Sequence, residues 1–333
     1  MNENLSLFYK DKIVLVTGGT GSIGSEIVRK VLQLNPMAVR VLDNNETGLF
    51  ELEQELKSDK IRTFIGDIRD EERLKRAFDG VDIVFHAAAL KHVPLCEYNP
   101  FDAVKTNVLG TQNVLNAAVD MDVEKVVVIS TDKTVNPINV MGATKLLSER
   151  LTISANYYTG NKRTVFSCVR FGNVLDSRGS VVPLFRNQIR KGGPVTITDP
   201  EMSRFVMGIP QAVELILKAG EKTEGKEIFI LKMPALNIMD LAEVMIEKFA
   251  PIYGYKPEDL KIQIIGKRNG EKIYEELMTE EELNFAFDNN ELYILNSKKV
   301  NSSNNNLNSN YRSDLAKKIS KEEIIEIIDK YCF

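Results

Sequence analysis

The sequence predicts an α/β fold: a doubly wound parallel sheet (Rossmann) with a smaller C-terminal substrate-binding lid domain. Three observations carry that prediction. An apolar run from Lys12 to Thr17 enters a glycine turn, Gly18 to Gly24, and leaves it as an amphipathic stretch reaching Leu34. Apolar runs of strand length then alternate with stretches of helical period as far as Arg170, the pattern of βαβ units. Lys125 to Ile129 is an unbroken β-branched run, as expected for a central parallel strand covered on both faces.

Taken in order, the glycine turn comes first. Gly18, Gly21 and Gly24, with Thr20, Ser22 and Ile23 between them, suit a backbone that turns sharply and approaches a pyrophosphate at a helix N-terminus. The next apolar run, Ala38 to Leu42, ends at Asp43, where a carboxylate can accept from the adenosine ribose hydroxyls. Ile61 to Ile65 leads into Asp67 and Ile68, Glu71 to Phe78 is helical, and Val81 to Phe85 runs into Ala87, Ala88 and Ala89. Three alanines at a strand end leave room for a ligand lying across the sheet edge. Asn99 and Pro100 open a long helix as cap and first residue, with Asn107 in its middle. The central strand ends in Ser130, Thr131, Asp132 and Lys133, a helix follows over 142–158, and Thr164 to Arg170 is the sixth strand. Asp43, Asp67, the alanines and the Ser130–Lys133 stretch all fall at carboxyl ends of strands, where such sheets bind ligands.

Past Arg170 the alternation loosens. Helices are expected over 183–190, 210–219 and 238–249, with short strands at 196–198 and 227–231. These divide the chain into a dinucleotide-binding domain (1–170, with 206–236 returning to it) and a substrate-binding domain (171–205 and 237–295). The second part shows no sheet signal large enough for a core of its own. Residues 296–313, rich in Asn and Ser, read as a linker. Residues 314–333 form a C-terminal helix opened by a Ser320–Glu323 capping box. Its Ile324, Ile325, Ile328 and Tyr331 stripe is expected to pack on the body or on a second copy in a homo-oligomer.

The bulk numbers narrow the classes. A net charge of −4 with no basic stripe argues against a nucleic-acid surface. Cys96, Cys168 and Cys332 have neither metal nor redox spacing and read as reduced thiols of a cytoplasmic protein. No run approaches the roughly 20 apolar residues of a membrane span.

Met141 and Lys145 stand four apart at the start of a helix and share one face. With the glycine turn and the strand ending in Ser130, this pair resembles the extended short-chain dehydrogenase/reductases. Most of those have a tyrosine at the first position as acid/base for a hydroxyl-to-ketone step. A thioether has no proton to exchange, so Met141 leaves two options: a catalytically dead relative, or protons moved by other groups. Asp132 and Lys133 favour the second, since a carboxyl and an amine beside a nicotinamide can divide acid and base roles.

More specifically, Ser130 to Lys133, Met141 to Lys145, Ala87 to Pro94, Arg170 to Leu175 and Gly270 to Lys272 resemble the UDP-N-acetylglucosamine 4,6-dehydratases of polysaccharide biosynthesis. Several of those also carry methionine for the tyrosine. The resemblance implies an oxidise, eliminate, reduce cycle giving a UDP-4-keto-6-deoxy sugar. It implies Lys133 as base at sugar carbon 5, Asp132 as acid at the carbon 6 hydroxyl, Thr131 on the carbon 4 oxygen and Lys145 on the nicotinamide ribose. It further implies that Asn173 and Arg204 contact the diphosphate, that Glu271 contacts the ribose, and that Lys91 and Asn107 face the site. Asp43 followed by Asn44 and Asn45 favours NAD, with NADP as the alternative. Two rivals stand beside this reading: a UDP-sugar 4-epimerase, which does not require the Asp132–Lys133 pair, and a non-catalytic NAD-binding regulator, which Met141 would suit.

Overall fold

Among the described residues, fourteen strands order the chain. In sequence they are β1 (Ile13–Thr17), β2 (Ala38–Asp43), β3 (Ile61–Ile65), β4 (Ile83–His86), β5 (Lys125–Ile129), β6 (Val165–Arg170) and β7 (Asn173–Val174). Then follow β8 (Val195–Ile197), β9 (Ser203–Met207), β10 (Ile228–Leu231), β11 (Ala235–Asn237), β12 (Ile262–Ile264), β13 (Ala286–Asn289) and β14 (Leu292–Leu295). The structure, a computed structural model, describes residues 3–296 and 311–332.

Nine strands form one sheet in the order β13-β14-β10-β6-β5-β4-β1-β2-β3. From β3 to β10 every neighbouring pair is parallel, and β14 and β13 add an antiparallel hairpin at one edge. The order 3-2-1-4-5-6 puts a topological switch between β1 and β4, where crossovers leave to opposite faces and open a crevice at the carboxyl ends. Helices cover both faces, so β1, β4, β5 and β6 are buried along almost their whole length. That explains their unbroken apolar composition.

The helix expected from Pro100 is continuous in direction but not in type. Pro100–Ala103 is α-helical, Val104–Leu109 is a π-helical stretch and Gly110–Asp120 resumes the α form. Asn99 does not cap it. Its amide donates back to the Leu95 carbonyl, 3.0 Å away.

The region beyond β6 does have an apolar core, contrary to expectation. Val182, Phe185 and Ile189 of one helix meet Leu241, Val244, Met245 and Phe249 of another, together with Ile324 and Ile328 of the last helix. Two small sheets, β11-β9-β7 and β12-β8, flank this cluster. The last helix, Lys321–Tyr331, starts with the anticipated reciprocal Ser320–Glu323 capping box and packs on the body of the protein. Most of the expected linker (297–310) lies outside the described residues. At its end Tyr311 stacks on Phe205 and Ser313 is fully buried.

Candidate active site

The first half of the site is a phosphate-sized turn. Gly18 has φ +67°, and a Cβ there would stand 2.5 Å from the Ala88 nitrogen. A Cβ on Gly24 would stand 2.2 Å from the Gly18 carbonyl oxygen, so helix and turn touch backbone to backbone. The helix Ser22–Leu32 begins with no side-chain cap and no acidic residue in its first turn. Its N–H groups therefore face outward beside the turn, the arrangement that binds anions.

Asp43, at the end of β2, accepts from the Thr20 nitrogen and hydroxyl on one oxygen and from the Asn45 nitrogen on the other. A cavity of about 460 Å³ is lined by Gly18, Thr20, Gly21, Asp43, Asp67, Ile68 and Ala87 to Ala89. Ser22, Ile23 and Gly24 lie on the helix just behind it, and the Ser22 hydroxyl accepts from the Arg178 nitrogen. This donor set, with an uncapped helix end and a cradle that admits no Cβ, fits a dinucleotide.

Sequence reasoning passed over Arg69, which lines the same cavity. It donates two hydrogen bonds to Asp67, at 2.9 and 2.5 Å, and so holds the Asp67 carboxyl below its ordinary range.

The second half sits at the ends of β5 and β6. Asp132 opens a single 3-10 turn, its nitrogen tied to the Phe171 carbonyl at 2.9 Å. Its side chain is wholly buried. Oδ1 accepts from the Thr131 hydroxyl at 2.8 Å and from Lys133 Nζ at 2.9 Å, while Oδ2 has no partner among the described residues. Lys133 Nζ also lies 3.5 Å from Asn173 Oδ1 and 3.3 Å from Glu275 Oε1. Burial works against the Lys133 charge, but the Asp132 and Glu275 carboxylates outweigh it and hold the amine above its ordinary pKa.

Behind this turn lies a buried ion network. Arg170 pairs with Glu149 and Glu282, and Glu149 accepts from the Ser130 and Thr134 hydroxyls. The turn that presents Asp132 and Lys133 is thus anchored from below.

Lys133, Asn173, Arg204, Glu271, Lys272 and Glu275, with Lys91 at one side, line a second cavity of about 490 Å³. Glu271 accepts from the Arg268 nitrogen, and Lys91 donates to the Arg178 carbonyl at 2.7 Å. Arg204 enters the cavity wall with most of its donors committed to the carbonyls of Ser203, Lys272 and Ile273.

Three other site candidates are differently placed. Asn107, 1% exposed, clamps both backbone polar groups of Leu90 and donates to Thr144. Met141 packs with Cys96 and Ala103. Lys145 donates to the Ile129 carbonyl at 2.6 Å, and burial pulls its pKa down to about 8. Glu275 is a second group that sequence reasoning missed. No period in its segment marks it: the stretch is bends rather than strand, and the adjacent Leu277 and Met278 are both buried.

A family model described as "Polysaccharide biosynthesis protein" matches residues 14–297. The chain is 61% identical over its full length, and over all of the relative, to an uncharacterized membrane protein of Methanocaldococcus jannaschii. Among the described residues no helix is long and apolar enough to cross a membrane.

It is 43% identical to a UDP-glucose 4-epimerase of Rickettsia akari, over 84% of this chain and 81% of the relative. It is 42% identical to a UDP-N-acetylglucosamine 4,6-dehydratase (inverting) of Campylobacter jejuni, over 84% and 82%. Among solved structures, Pen from Bacillus thuringiensis superposes with TM-score 0.91 at 48% identity, covering 97% of this chain and 98% of Pen. The dTDP-glucose 4,6-dehydratase DesIV from Streptomyces venezuelae, solved with NAD bound, gives 0.69 at 25% identity, covering 78% and 86%. The chain therefore belongs to the "Polysaccharide biosynthesis protein" family, within the extended short-chain dehydrogenase/reductases.

Proposed function

We propose that the chain is a nucleotide-sugar 4,6-dehydratase that converts UDP-N-acetylglucosamine to a UDP-4-keto-6-deoxy sugar with NAD as its resident cofactor. The observation that carries this reading is the Asp132–Lys133 contact of 2.9 Å at the sheet edge, with Lys133 in the wall of the second cavity. It is supported by the Campylobacter relative's name and by the NAD bound in DesIV.

Bound NAD supplies a hydride acceptor for sugar carbon 4 and a hydride source for the later reduction. The chain's own groups move the protons. One proton passed from Lys133 Nζ to Asp132 Oδ1 turns the resting ion pair into a neutral amine and a carboxylic acid. The amine then takes the carbon 5 hydrogen, made acidic by the neighbouring ketone. The acid gives its proton to the departing carbon 6 hydroxyl, and the ion pair is restored. In this reading the Thr131 hydroxyl hydrogen-bonds the carbon 4 oxygen, whose proton leaves to solvent as the hydride departs; the Lys133 ammonium returns a proton to carbon 5 when carbon 6 is reduced and recovers one from solvent. Lys145 holds the nicotinamide ribose. Asn173 and Arg204 lie toward the diphosphate, with Glu271 toward the ribose. Asp43 favours an unphosphorylated adenosine ribose, while Arg69 is the cation that would admit NADP.

A 4-epimerase is the second reading, favoured by the names of the Rickettsia relatives. It leaves the Asp132–Lys133 pair without a task. To decide, the dinucleotide released on denaturation is identified, and native protein is incubated with UDP-N-acetylglucosamine in deuterated water. A product lighter by one water, with deuterium at carbon 5 and a methyl at carbon 6, is expected. The Asp132→Asn, Lys133→Ala double variant should keep its dinucleotide and make none. Unchanged mass with inversion at carbon 4 would establish the epimerase. Vinylic carbon 6 protons would show that hydride returns to carbon 4 and would overturn the 4-keto product.

A further inference from the structure

We propose that Glu275 is a positioning residue for Lys133: it clamps the amine against Asp132 and sets the pH at which that amine becomes a base. The proposal rests on the dehydratase reading for what the amine then does, and not for the clamp itself.

Lys133 Nζ is bracketed by Asp132 Oδ1 at 2.9 Å and Glu275 Oε1 at 3.3 Å. The two carboxylates come from distant parts of the chain, yet both are fixed. Asp132 stands on the anchored turn after β5. The Glu275 nitrogen and carbonyl are both bonded to Ser313, at 2.9 Å each, and the Ser313 hydroxyl is bonded to Ser203 on β9. A backbone pinned on both sides delivers the carboxylate to one place. Its side chain is 3% exposed, and among the described residues the buried Oε2 has no hydrogen-bond partner, so Lys133 is the nearest cation its carboxylate meets. Arg204 Nε approaches Oε1 only to 3.8 Å.

The charges facing this pair are few. Lys133 meets Asp132, Glu275 and Arg204. Glu275 meets Lys133, Asp132, Arg204 and Lys272. Burial pushes the Glu275 carboxyl up, against the pull of the cations. While Glu275 is ionised it favours the ammonium form of Lys133. Neutralising it releases the amine.

The test measures Lys133 directly. Native protein is labelled with trace acetic anhydride across pH, and the rate at Lys133, read by mass spectrometry, gives the amine's pKa without turnover. In Glu275→Gln that pKa should fall by about one unit or more, one unit being roughly the bulk-water limit for a unit charge at this separation. The alkaline limb of kcat/KM for UDP-N-acetylglucosamine, where the Asp132–Lys133 pair loses its one proton, should move down with it. Glu275→Asp, which keeps the charge but draws it back, should shift less than Gln and in the same direction. A Lys133 titration unmoved in both variants, with only a uniform loss of rate, would make Glu275 a scaffold residue and overturn the proposal. A titration that moves in protein unable to dehydrate the sugar would uphold the clamp and discard the dehydratase reading.

Discussion

Gly24→Ala separates packing from ligand approach in the glycine turn. The added Cβ would lie 2.2 Å from the Gly18 oxygen and 2.8 Å from the Gly19 Cα. Those atoms are backbone and cannot rotate aside, so helix and turn must separate. Overpacking of this kind costs about 1–3 kcal/mol, and a backbone obstacle argues for the upper part, about 2.5–3. Alanine in a helix recovers about 1 kcal/mol relative to glycine. The net loss is then about 1.5–2 kcal/mol. With an unfolding entropy of about 2.1 cal/mol/K per residue, a chain of 333 residues loses about 2–3 °C in Tm.

Gly21→Ala is the control. Its Cβ meets nothing closer than the Gly18 oxygen at 3.3 Å, and the φ of −70° suits any residue. It should cost only about 0.5 kcal/mol, as a poorer N-cap. Its methyl nevertheless projects where a pyrophosphate would approach the helix end. Unfolding followed by circular dichroism on nucleotide-free protein, then with NAD at about 100 times its Kd, should show about 2.7 kcal/mol of stabilisation in the wild type. Gly21→Ala should lose that stabilisation, and Gly24→Ala should lose both it and intrinsic stability. Wild-type Tm and NAD response in Gly24→Ala would refute the close-packing argument. A full NAD response in Gly21→Ala would place the phosphates elsewhere.

Other perturbations test the site's supports. Arg170→Met strands Glu149 beneath the Asp132–Lys133 turn and should cost about 3–5 kcal/mol in urea unfolding, since a buried charge loses its partner. His86, wholly buried between Thr17 and Thr111, has its pKa pushed down to about 3 by burial and, secondarily, by Lys145. Unfolded histidine binds a proton near pH 6.5 that the folded ring refuses, so stability should fall as pH drops from 6.5, by up to about 1.4 kcal/mol per pH unit. His86→Gln should flatten that slope, and an unchanged slope would assign it to other groups. Arg204→Ala should raise KM for the UDP-sugar and lower kcat together, because it frees the carbonyls that hold Glu275's segment in the cavity wall. A change in KM alone would make Arg204 a phosphate contact only.

What the sequence made legible follows from what local chemistry encodes. The glycine turn, the β-branched central strand and the groups at strand ends are local in sequence, and the parallel sheet maps their order onto one edge. Asp132 and Lys133 could be placed beside the dinucleotide crevice for that reason alone. Asn107 could not be judged, because its task is to clamp Leu90 across a π-helical distortion that no spacing announces. Arg204 was recognisable as a cation near the site, but its guanidinium is spent largely on carbonyls that only the fold brings to it. Glu275 shows the limit most clearly. Nothing within its own stretch ties it to Lys133. The link is made by Ser313, buried at the end of the polar stretch that read as linker, which fixes the Glu275 backbone against β9. A strand end can present an acid and an amine through local sequence, but the charge that tunes the amine has to come from another layer of the fold. The Asp132–Lys133 pair is therefore legible in sequence, while the carboxylate that faces it is placed only by tertiary structure.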